Sequence, residues 1–246
     1  MQACVVSESD PRRVLLLAPM RSELQPIVRE LSMGAPSGDP AIHRGKVGDT
    51  EVLATTIGVG PAAAARTTAS LLLAETVDHV VVCGIAGAVG PDMRIGEVIV
   101  PGVVIDGSTG RSLTPDPLGA VKPSGAILTV GELVIDPTEV GKLEQDGVVA
   151  LDMESSAVGI VCRRLGVPWT VFRSISDRAG DGMVDDMVLG MLNENGSANV
   201  GAAIRLVLLH PGRIPGLIRL ARDSGVAARA AAKAAVTAVT APTQRA

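Results

Sequence analysis

The chain of 246 residues is almost without aromatic side chains: it has one Trp, one Phe and no Tyr. Proteins that bind single-stranded nucleic acid stack bases on aromatic rings, and cages for ammonium ligands are also built from such rings. Both classes of function therefore find little support. Lys and Arg total 22 against 26 Asp and Glu, so the composition gives no sign of a basic nucleic-acid surface either.

Metal-ligating residues and targeting signals are also scarce. The three cysteines, Cys4, Cys83 and Cys162, lie far apart, form no CxxC pair and stand beside only three histidines. A metal site is therefore not expected, and a reduced, cytoplasmic chain is. The N-terminal sequence MQACVVSESDPRR carries acidic residues before the first long apolar run, unlike a signal peptide. The apolar stretches are short and interrupted, so no membrane span is expected.

Short apolar runs alternate with helical patterns along the chain, which is typical of an α/β protein. This alternation predicts a single-domain three-layer sandwich with a central mixed, largely parallel sheet flanked by helices. Strands are predicted at Val14–Ala18, Glu51–Thr56, Val80–Cys83, Gly96–Pro101, Val103–Asp106, Ala126–Val130, Val148–Leu151 and Thr170–Ser174. Helices are predicted at Ser22–Leu31, Ala62–Ala74, Pro137–Gln145, Ser155–Leu165, Asn199–Leu208 and Ile214–Ala221.

The chain is divided into a main domain at residues 13–222, an N-terminal extension at 1–12 and an alanine-rich tail at 223–246. The tail is mostly Ala with scattered Arg, Lys and Thr. Its composition is compatible both with a helix and with a loosely held end.

Polar or glycine residues follow four of the predicted elements near the ends of strands. They are Glu23, the segment Gly84–Gly87, the pair Asp152 and Glu154, and Asp177. Each has a plain structural interpretation: a solvated helix acid, a tight turn, a helix cap, a cap of the next turn. The carboxyl ends of parallel strands meet at one edge of a sheet. Taken together, the four positions therefore predict a ligand site at that edge.

The segment Gly58-Val59-Gly60-Pro61-Ala62-Ala63 fits the dinucleotide-binding fingerprint, with Asp78 about 20 residues further on. The fingerprint requires its acid at the end of a strand, and Asp78 instead precedes a strand. The segment is therefore interpreted mainly as a strand-to-helix turn whose amide groups face a polar ligand. A nicotinamide or flavin enzyme stays as a third hypothesis.

The segment LDMESSAVGIVCRRLGVPWTVFRSISD, Leu151–Asp177, resembles the nucleoside phosphorylase/nucleosidase superfamily. Further segments with the same resemblance are Val14–Glu23, Thr55–Ala65 and Val80–Pro101. The most similar branch is that of the 5′-methylthioadenosine/S-adenosylhomocysteine nucleosidases. The resemblance implies a phosphorylase-like fold, an N-glycosidic hydrolase that needs no cofactor, a small-molecule nucleoside substrate and a homodimer.

The resemblance also implies roles for individual residues. Asp177 is expected to protonate the leaving purine and Glu23 to activate the attacking water. Glu154 is expected to bind the ribose hydroxyls and Met153 to pack against the sugar. Arg173 is expected to support the acidic residues at the edge of the sheet where the strands end. Carboxylates beside the sugar suit the oxocarbenium character of glycosidic cleavage. The remaining residues implied in substrate binding are Gly84, Ile85, Met20, Val134 and Ile135.

Two departures from the family pattern bear on nucleophile and substrate. Val82 and Ile85 stand where phosphorylases of the superfamily carry an Arg and a hydroxyl, which favours water over phosphate. The nucleosidase branch also has Ser at the place of Ile85. The segment Gly131–Asp136 lacks the Phe of the family's base-binding loop, so aliphatic residues must cover the base unless Trp169 or Phe172 turns inward.

Several alternatives therefore remain open. They are a phosphorylase, a nucleosidase acting on futalosine-type or hopanoid-precursor nucleosides, and a family member that binds a nucleoside without cleaving it.

Overall fold

The computed structural model describes residues 13–132, 134, 136–179 and 214–241. These residues form one mixed sheet of ten strands with helices on both faces, so the predicted fold class is confirmed. The strands are β1 Arg13–Ala18, β2 His43–Val47, β3 Thr50–Thr56, β4 His79–Ala88, β5 Val98–Ile99, β6 Val103–Asp106, β7 Ser112–Leu113, β8 Ala126–Thr129, β9 Val148–Asp152 and β10 Trp169–Arg178. The helices are α1 Arg21–Glu30, α2 Pro61–Ala74, α3 Pro137–Gln145, α4 Ser155–Leu165 and α5 Ile214–Thr240.

Three central strands run parallel and end at one edge of the sheet. Strand β4 pairs in parallel with both β1 and β10. Strand β9 pairs with the end of β4 in the antiparallel direction, with Gly87 opposite Leu151. The carboxyl ends of β1, β4, β9 and β10 are therefore gathered in one region, because β9 approaches that region from the opposite side.

The core has two main layers, one on each face of the sheet. One layer packs α2 and α4 on the sheet and includes Leu71, Val158 and Trp169. The other packs α1 and α5 on the opposite face and includes Ile27 and Phe172. Burial of these apolar side chains is the main favourable contribution to folding.

Both aromatic side chains of the molecule belong to this core. Trp169 is 1% exposed and Phe172 is fully buried, on opposite faces of the sheet. The indole packs so closely on Gly159 that a Cβ there would overlap it. Neither ring is available to a ligand, so the condition under which Trp169 or Phe172 would cover a base is not met.

The strands β4 and β10 extend beyond their predicted ends. Gly84–Gly87 lies inside β4, and the interpretation of that segment as a tight turn is wrong. The reason is non-local, because β10 pairs with β4 along this stretch and extends the ladder through its glycines. Helix α1 begins at Arg21 with Met20 as its N-cap, one residue before its predicted start at Ser22.

The alanine-rich segment is an ordered part of the fold. Helix α5 runs through the expected boundary between residues 222 and 223 without a break. Its small side chains lie against the sheet and α1, with Ala227, Ala231 and Ala235 fully buried. Alanine lets the helix approach β4 and β10 closely, and this contact explains the composition of the segment.

The N-terminal extension at 1–12, the helix predicted at Asn199–Leu208 and the side chain of Ile135 lie outside the described residues. Among the helices that the structure describes, none has the length and apolar composition needed to cross a membrane.

Candidate active site

Glu23 reaches from the first turn of α1 to the carboxyl end of β4. Its Oε2 accepts the amide N–H of Met20 at 2.9 Å, which holds the start of the helix, and its Oε1 accepts the amide of Ile85 at 2.8 Å. The side chain is buried, with the residue 2% exposed. The interpretation of Glu23 as a solvated helix acid is therefore wrong, and the acid lies where the sequence predicts the site.

Arg173 is a fully buried cation in the middle of β10. Its Nη2 donates to Glu154 Oε2 at 3.0 Å, and its Nη1 donates to the carbonyl of Ile85 at 3.3 Å. The second oxygen of Glu154 accepts the amide of Gly60 at 2.9 Å. A buried charge is tolerated only when it is paired and hydrogen-bonded. The guanidinium thus fixes the carboxylate of Glu154 in place.

Asp152 is the second carboxylate on this guanidinium. Its Oδ2 accepts Arg173 Nε at 2.8 Å and lies 2.7 Å from Arg173 Nη2. It also accepts the amide of Ser155, the first residue of α4, although the N-cap position of that helix is Glu154. Asp152 therefore binds the start of the helix from outside the N-cap position, and the same carboxylate also neutralises Arg173.

Gly84 lies at a point of β4 where there is no room for a side chain. A Cβ at Gly84 would overlap both Arg173 Nη1 and Glu23 Oε1. The guanidinium and the carboxylate thus meet above a bare Cα, and only glycine fits between them.

Asp177 lies near the end of β10, where the ladder with β4 is irregular. The register shifts between Ile175 and Asp177, which leaves Ser176 as an extra residue on β10. Such a bulge turns the following side chain to a new direction. The Ser176 hydroxyl donates to the Asp177 carboxylate, and Asp177 pairs with Gly87 of β4. The structure thus places Asp177 at the same edge as Glu23 and Arg173.

The burial of these charges shifts their pKa values. Burial raises the pKa of Glu23 to about 7, and Glu154 adds to this effect while Arg173 opposes it. Burial also raises the pKa of Glu154, against the opposing effect of Arg173. For Arg173, burial lowers the pKa, but Asp152, Glu154 and Glu23 together hold it above its ordinary value.

Of the remaining predicted residues, Met20 and Ile85 contact the charged side chains through their backbone groups. Met20, Met153 and Ile85 are half-buried and flank the charged residues along the chain. Val134 is half-buried and packs against a small third cluster that includes Val89 and Leu151. No contact between Val134 and the charged residues is among those described, and its role in covering a base stays a prediction.

The glycine turn before α2 faces this site, but Asp78 does not. The amide of Gly60 points at Glu154, in agreement with the prediction that the turn presents its amides to a polar group. Asp78 instead accepts the amide of Arg13, the first residue of β1, at 2.9 Å. It lies at the amino ends of the strands, away from the turn, so the dinucleotide fingerprint lacks its acid.

Thr129 and Ser155 complete the hydrogen-bond network and were not predicted from the sequence. Thr129 Oγ1 donates to Asp152 Oδ1 at 2.7 Å and accepts the amide of Ser156 at 2.9 Å. The hydroxyl of Ser155 also donates to Asp152. The one available signal was the position of Thr129 at the end of an apolar strand, which does not distinguish it from an ordinary turn residue.

A family model described as the phosphorylase superfamily matches residues 13–128 and 119–208. The chain belongs to the phosphorylase superfamily. The resemblance to this superfamily is therefore confirmed. The matched ranges contain all the charged residues described above, namely Glu23, Asp152, Glu154, Arg173 and Asp177.

Two curated relatives are nucleosidases by name. The aminodeoxyfutalosine nucleosidase of Helicobacter pylori is 25% identical over 201 residues, covering 69% of this chain and 87% of that protein. The 5′-methylthioadenosine/S-adenosylhomocysteine nucleosidase of Tolumonas auensis is 27% identical over 168 residues, covering 56% of this chain and 73% of that protein.

Solved structures of nucleosidases share the fold. The S-adenosylhomocysteine nucleosidase of Streptococcus pyogenes, in complex with 5-methylthiotubericidin, matches with a TM-score of 0.71 at 18% identity, covering 95% of this chain and 98% of that one. The futalosine hydrolase of Helicobacter pylori matches with a TM-score of 0.69 at 20% identity, covering 93% and 97%. At these identities the likeness concerns the fold.

Proposed function

We propose that the protein hydrolyses the N-glycosidic bond of a purine nucleoside, with adenosine thioethers as the first substrate class to test. This proposal agrees with the activity stated in the names of its relatives. The observation that carries it is the buried cluster in which three carboxylates, from Glu23, Asp152 and Glu154, surround the single guanidinium of Arg173.

The excess of negative charge in this cluster favours cleavage of a glycosidic bond by water. A sugar that loses its base develops positive charge, and an excess of carboxylate stabilises that charge in a site of low dielectric. The same excess repels a phosphate anion, and the one cation of the cluster is already occupied by carboxylates. Both effects favour a hydrolase over a phosphorylase.

We assign the chemical roles as follows. Asp177 protonates the leaving purine, and Glu23 in its ionised form takes a proton from the attacking water. Glu154 accepts hydrogen bonds from the ribose hydroxyls, and Arg173 holds Glu154. Met153 packs against the sugar. The remaining substrate contacts are proposed at Gly84, Ile85, Met20, Val134 and Ile135.

The base pocket of this hydrolase is aliphatic. The chain has two aromatic side chains in all, and both lie in the core, so residues such as Ile85, Val134 and Ile135 cover the base. A second copy of this chain has the same composition, so a dimer offers no additional kind of aromatic side chain to the pocket. Loss of ring contacts costs roughly 0.5–1.5 kcal/mol each beyond area burial, which alters substrate preference more than the reaction.

A nucleosidase of the futalosine type is the second candidate, and the Helicobacter pylori relative favours it. One experiment separates the candidates: a panel of nucleosides is incubated with the purified protein, with and without phosphate, and free base is measured. The proposal expects release of base without phosphate. Release only in the presence of phosphate would identify a phosphorylase, and binding without release would identify a non-catalytic member.

We also propose that the protein is a cytoplasmic homodimer. The outer surface of α2 and α4 is the candidate interface, because Leu73 at the end of α2 is 79% exposed and Leu165 at the end of α4 is 42% exposed. The two helices pack against each other, and an apolar patch on such a surface often marks a contact with another chain.

A further inference from the structure

We propose that Asp152 is a positioning residue for this reaction, which orients the ribose-binding carboxylate of Glu154 through Arg173. This inference rests on the proposed function. Asp152 lies at the end of β9 and is 5% exposed. Its oxygens are occupied by protein donors, so it acts on a substrate only through its neighbours.

The first step is the fixed plane of the guanidinium. Arg173 presents two of its nitrogens, Nε and Nη2, to Asp152 Oδ2 at 2.8 and 2.7 Å. Because a guanidinium is planar and rigid, two contacts on one side determine where its other N–H groups point. The same Nη2 reaches Glu154 Oε2 at 3.0 Å. Asp152 therefore determines the direction from which Glu154 is held.

The second step is the pair of opposing contacts on Glu154. Arg173 holds one carboxylate oxygen, and the amide of Gly60 holds the other at 2.9 Å. Glu154 is itself 4% exposed, so it has little freedom to find another orientation. A carboxylate fixed in this way meets ribose hydroxyls in a constant geometry, and displacement by about 1 Å is enough to lower turnover about 100-fold.

The third step connects the same carboxylate to the other side of the site. Thr129 donates to Asp152 Oδ1 at 2.7 Å and ends β8, from which the loop bearing Val134 departs. Asp152 thus links the strand that leads to the proposed base loop with the arginine that holds the proposed ribose ligand.

The test compares Asp152→Asn with the wild type on two substrates. One is the nucleoside with the highest kcat/KM in the panel, and the other is its 2′,3′-dideoxy analogue, which lacks the hydroxyls assigned to Glu154. Asp152→Asn is expected to lower kcat/KM for the ribonucleoside about 100-fold and to change that for the analogue much less. The variant then discriminates poorly between the two substrates, which a loss of folded protein alone does not produce.

Asp106→Asn is the matched control. Asp106 is also a buried carboxylate at the end of a strand, but its described partners are Ser108, whose amide and hydroxyl lie at 2.9 and 2.7 Å, and Thr109, with no arginine. It is expected to keep the wild-type discrimination. Wild-type discrimination in Asp152→Asn, or an equal loss in Asp106→Asn, would overturn the proposal.

A second measurement does not depend on activity. In protein labelled with ¹⁵N-arginine, the Nε–H of Arg173 is expected to give an NMR signal that exchanges slowly with water. This signal should be lost or strongly shifted in Asp152→Asn and kept in Asp106→Asn; an unchanged signal in Asp152→Asn contradicts the proposal. If the wild type releases no base, the proposed function fails, and this signal still decides whether Asp152 holds Arg173.

Thr129→Val covers the case in which Asp152→Asn does not fold. It removes one hydrogen bond to Asp152 and retains the charge. A partial loss of discrimination is expected, in the same direction as for Asp152→Asn. Wild-type discrimination together with an unchanged Arg173 signal in this variant would overturn the proposal.

Discussion

Glu23 and Arg173 are held by the two ends of one residue. The amide of Ile85 donates to the Glu23 carboxylate at 2.8 Å, and the carbonyl of the same residue accepts from Arg173 at 3.3 Å. The two charged groups also meet above the Cα of Gly84. Strand β4 thus uses its backbone, instead of side chains, to set the positions of an acid and a cation that come from different elements.

Gly84→Ala should disrupt this arrangement. The new Cβ overlaps Arg173 Nη1 and Glu23 Oε1, so the variant is expected to lose about 1–3 kcal/mol of unfolding free energy and most of its activity. Gly141→Ala in α3 is the control, because its Cβ meets open space and a helical Ala is favourable. Urea unfolding and base release measure both effects. Normal stability and turnover in Gly84→Ala would contradict the observed packing.

Asp177→Asn should remove most of the turnover. An amide cannot protonate the leaving purine, and general acid catalysis contributes about 10²–10⁴-fold. The loss is expected in kcat, because the substrate still binds, and release of free base measures it. Asp146→Asn, at the exposed end of α3, is the control and should behave as the wild type. Residual turnover within a few-fold of the wild type would exclude Asp177 as the acid.

The activity should rise with pH through the pKa of Glu23. Burial holds this pKa at about 7, and Glu23 activates water only when it is ionised. The value of kcat/KM is therefore low below pH 7 and increases as the pH passes that value. Glu30→Gln, an exposed position at the end of the same helix, should keep this profile. A profile that stays flat through this range would argue against Glu23 as the base.

The same burial predicts a decline of stability with rising pH. Unfolded Glu23 loses its proton near its ordinary pKa of 4.5, whereas folded Glu23 retains it up to about 7. Between these values the folded state binds more protons, so its contribution to stability is present at low pH and is lost as the pH rises. Relative to Glu23→Gln, the wild type should lose roughly 2–4 kcal/mol of unfolding free energy across this window.

Urea unfolding at fixed protein concentration measures this difference. Trp169 is the single tryptophan and is 1% exposed, so its emission reports unfolding directly. A difference between the wild type and Glu23→Gln that stays constant with pH would show that Glu23 titrates near its ordinary value.

The strands of the sheet centre could be predicted because their signal is local. The run Val14–Ala18 is buried on both faces, and such a strand is recognised from its apolar residues alone. Strand β2, His43–Val47, was not predicted, because it lies at the edge of the sheet and alternates buried with exposed residues over a short stretch that is rich in polar side chains.

The candidate site could be predicted only in part, for a related reason. Glu23 and Glu154 could be predicted because each lies near the end of a strand, whereas Arg173, in the middle of β10, was indicated by the family resemblance. The hydrogen bonds of Asp152 with Thr129 and Arg173 could not be predicted, because these residues lie 23 and 21 residues away along the chain. The closeness of Gly84 to two charged side chains also depends on pairing between β4 and β10, which no local pattern contains.

The fate of the sugar tests the proposed hydrolysis most directly. The wild type is incubated with 5′-methylthioadenosine in phosphate buffer, and the products are followed by ¹H and ³¹P NMR. Hydrolysis predicts free adenine and free methylthioribose, at a rate that does not depend on phosphate, with no ³¹P signal of a sugar phosphate. Formation of the sugar 1-phosphate, or no release of base until phosphate is added, would contradict it.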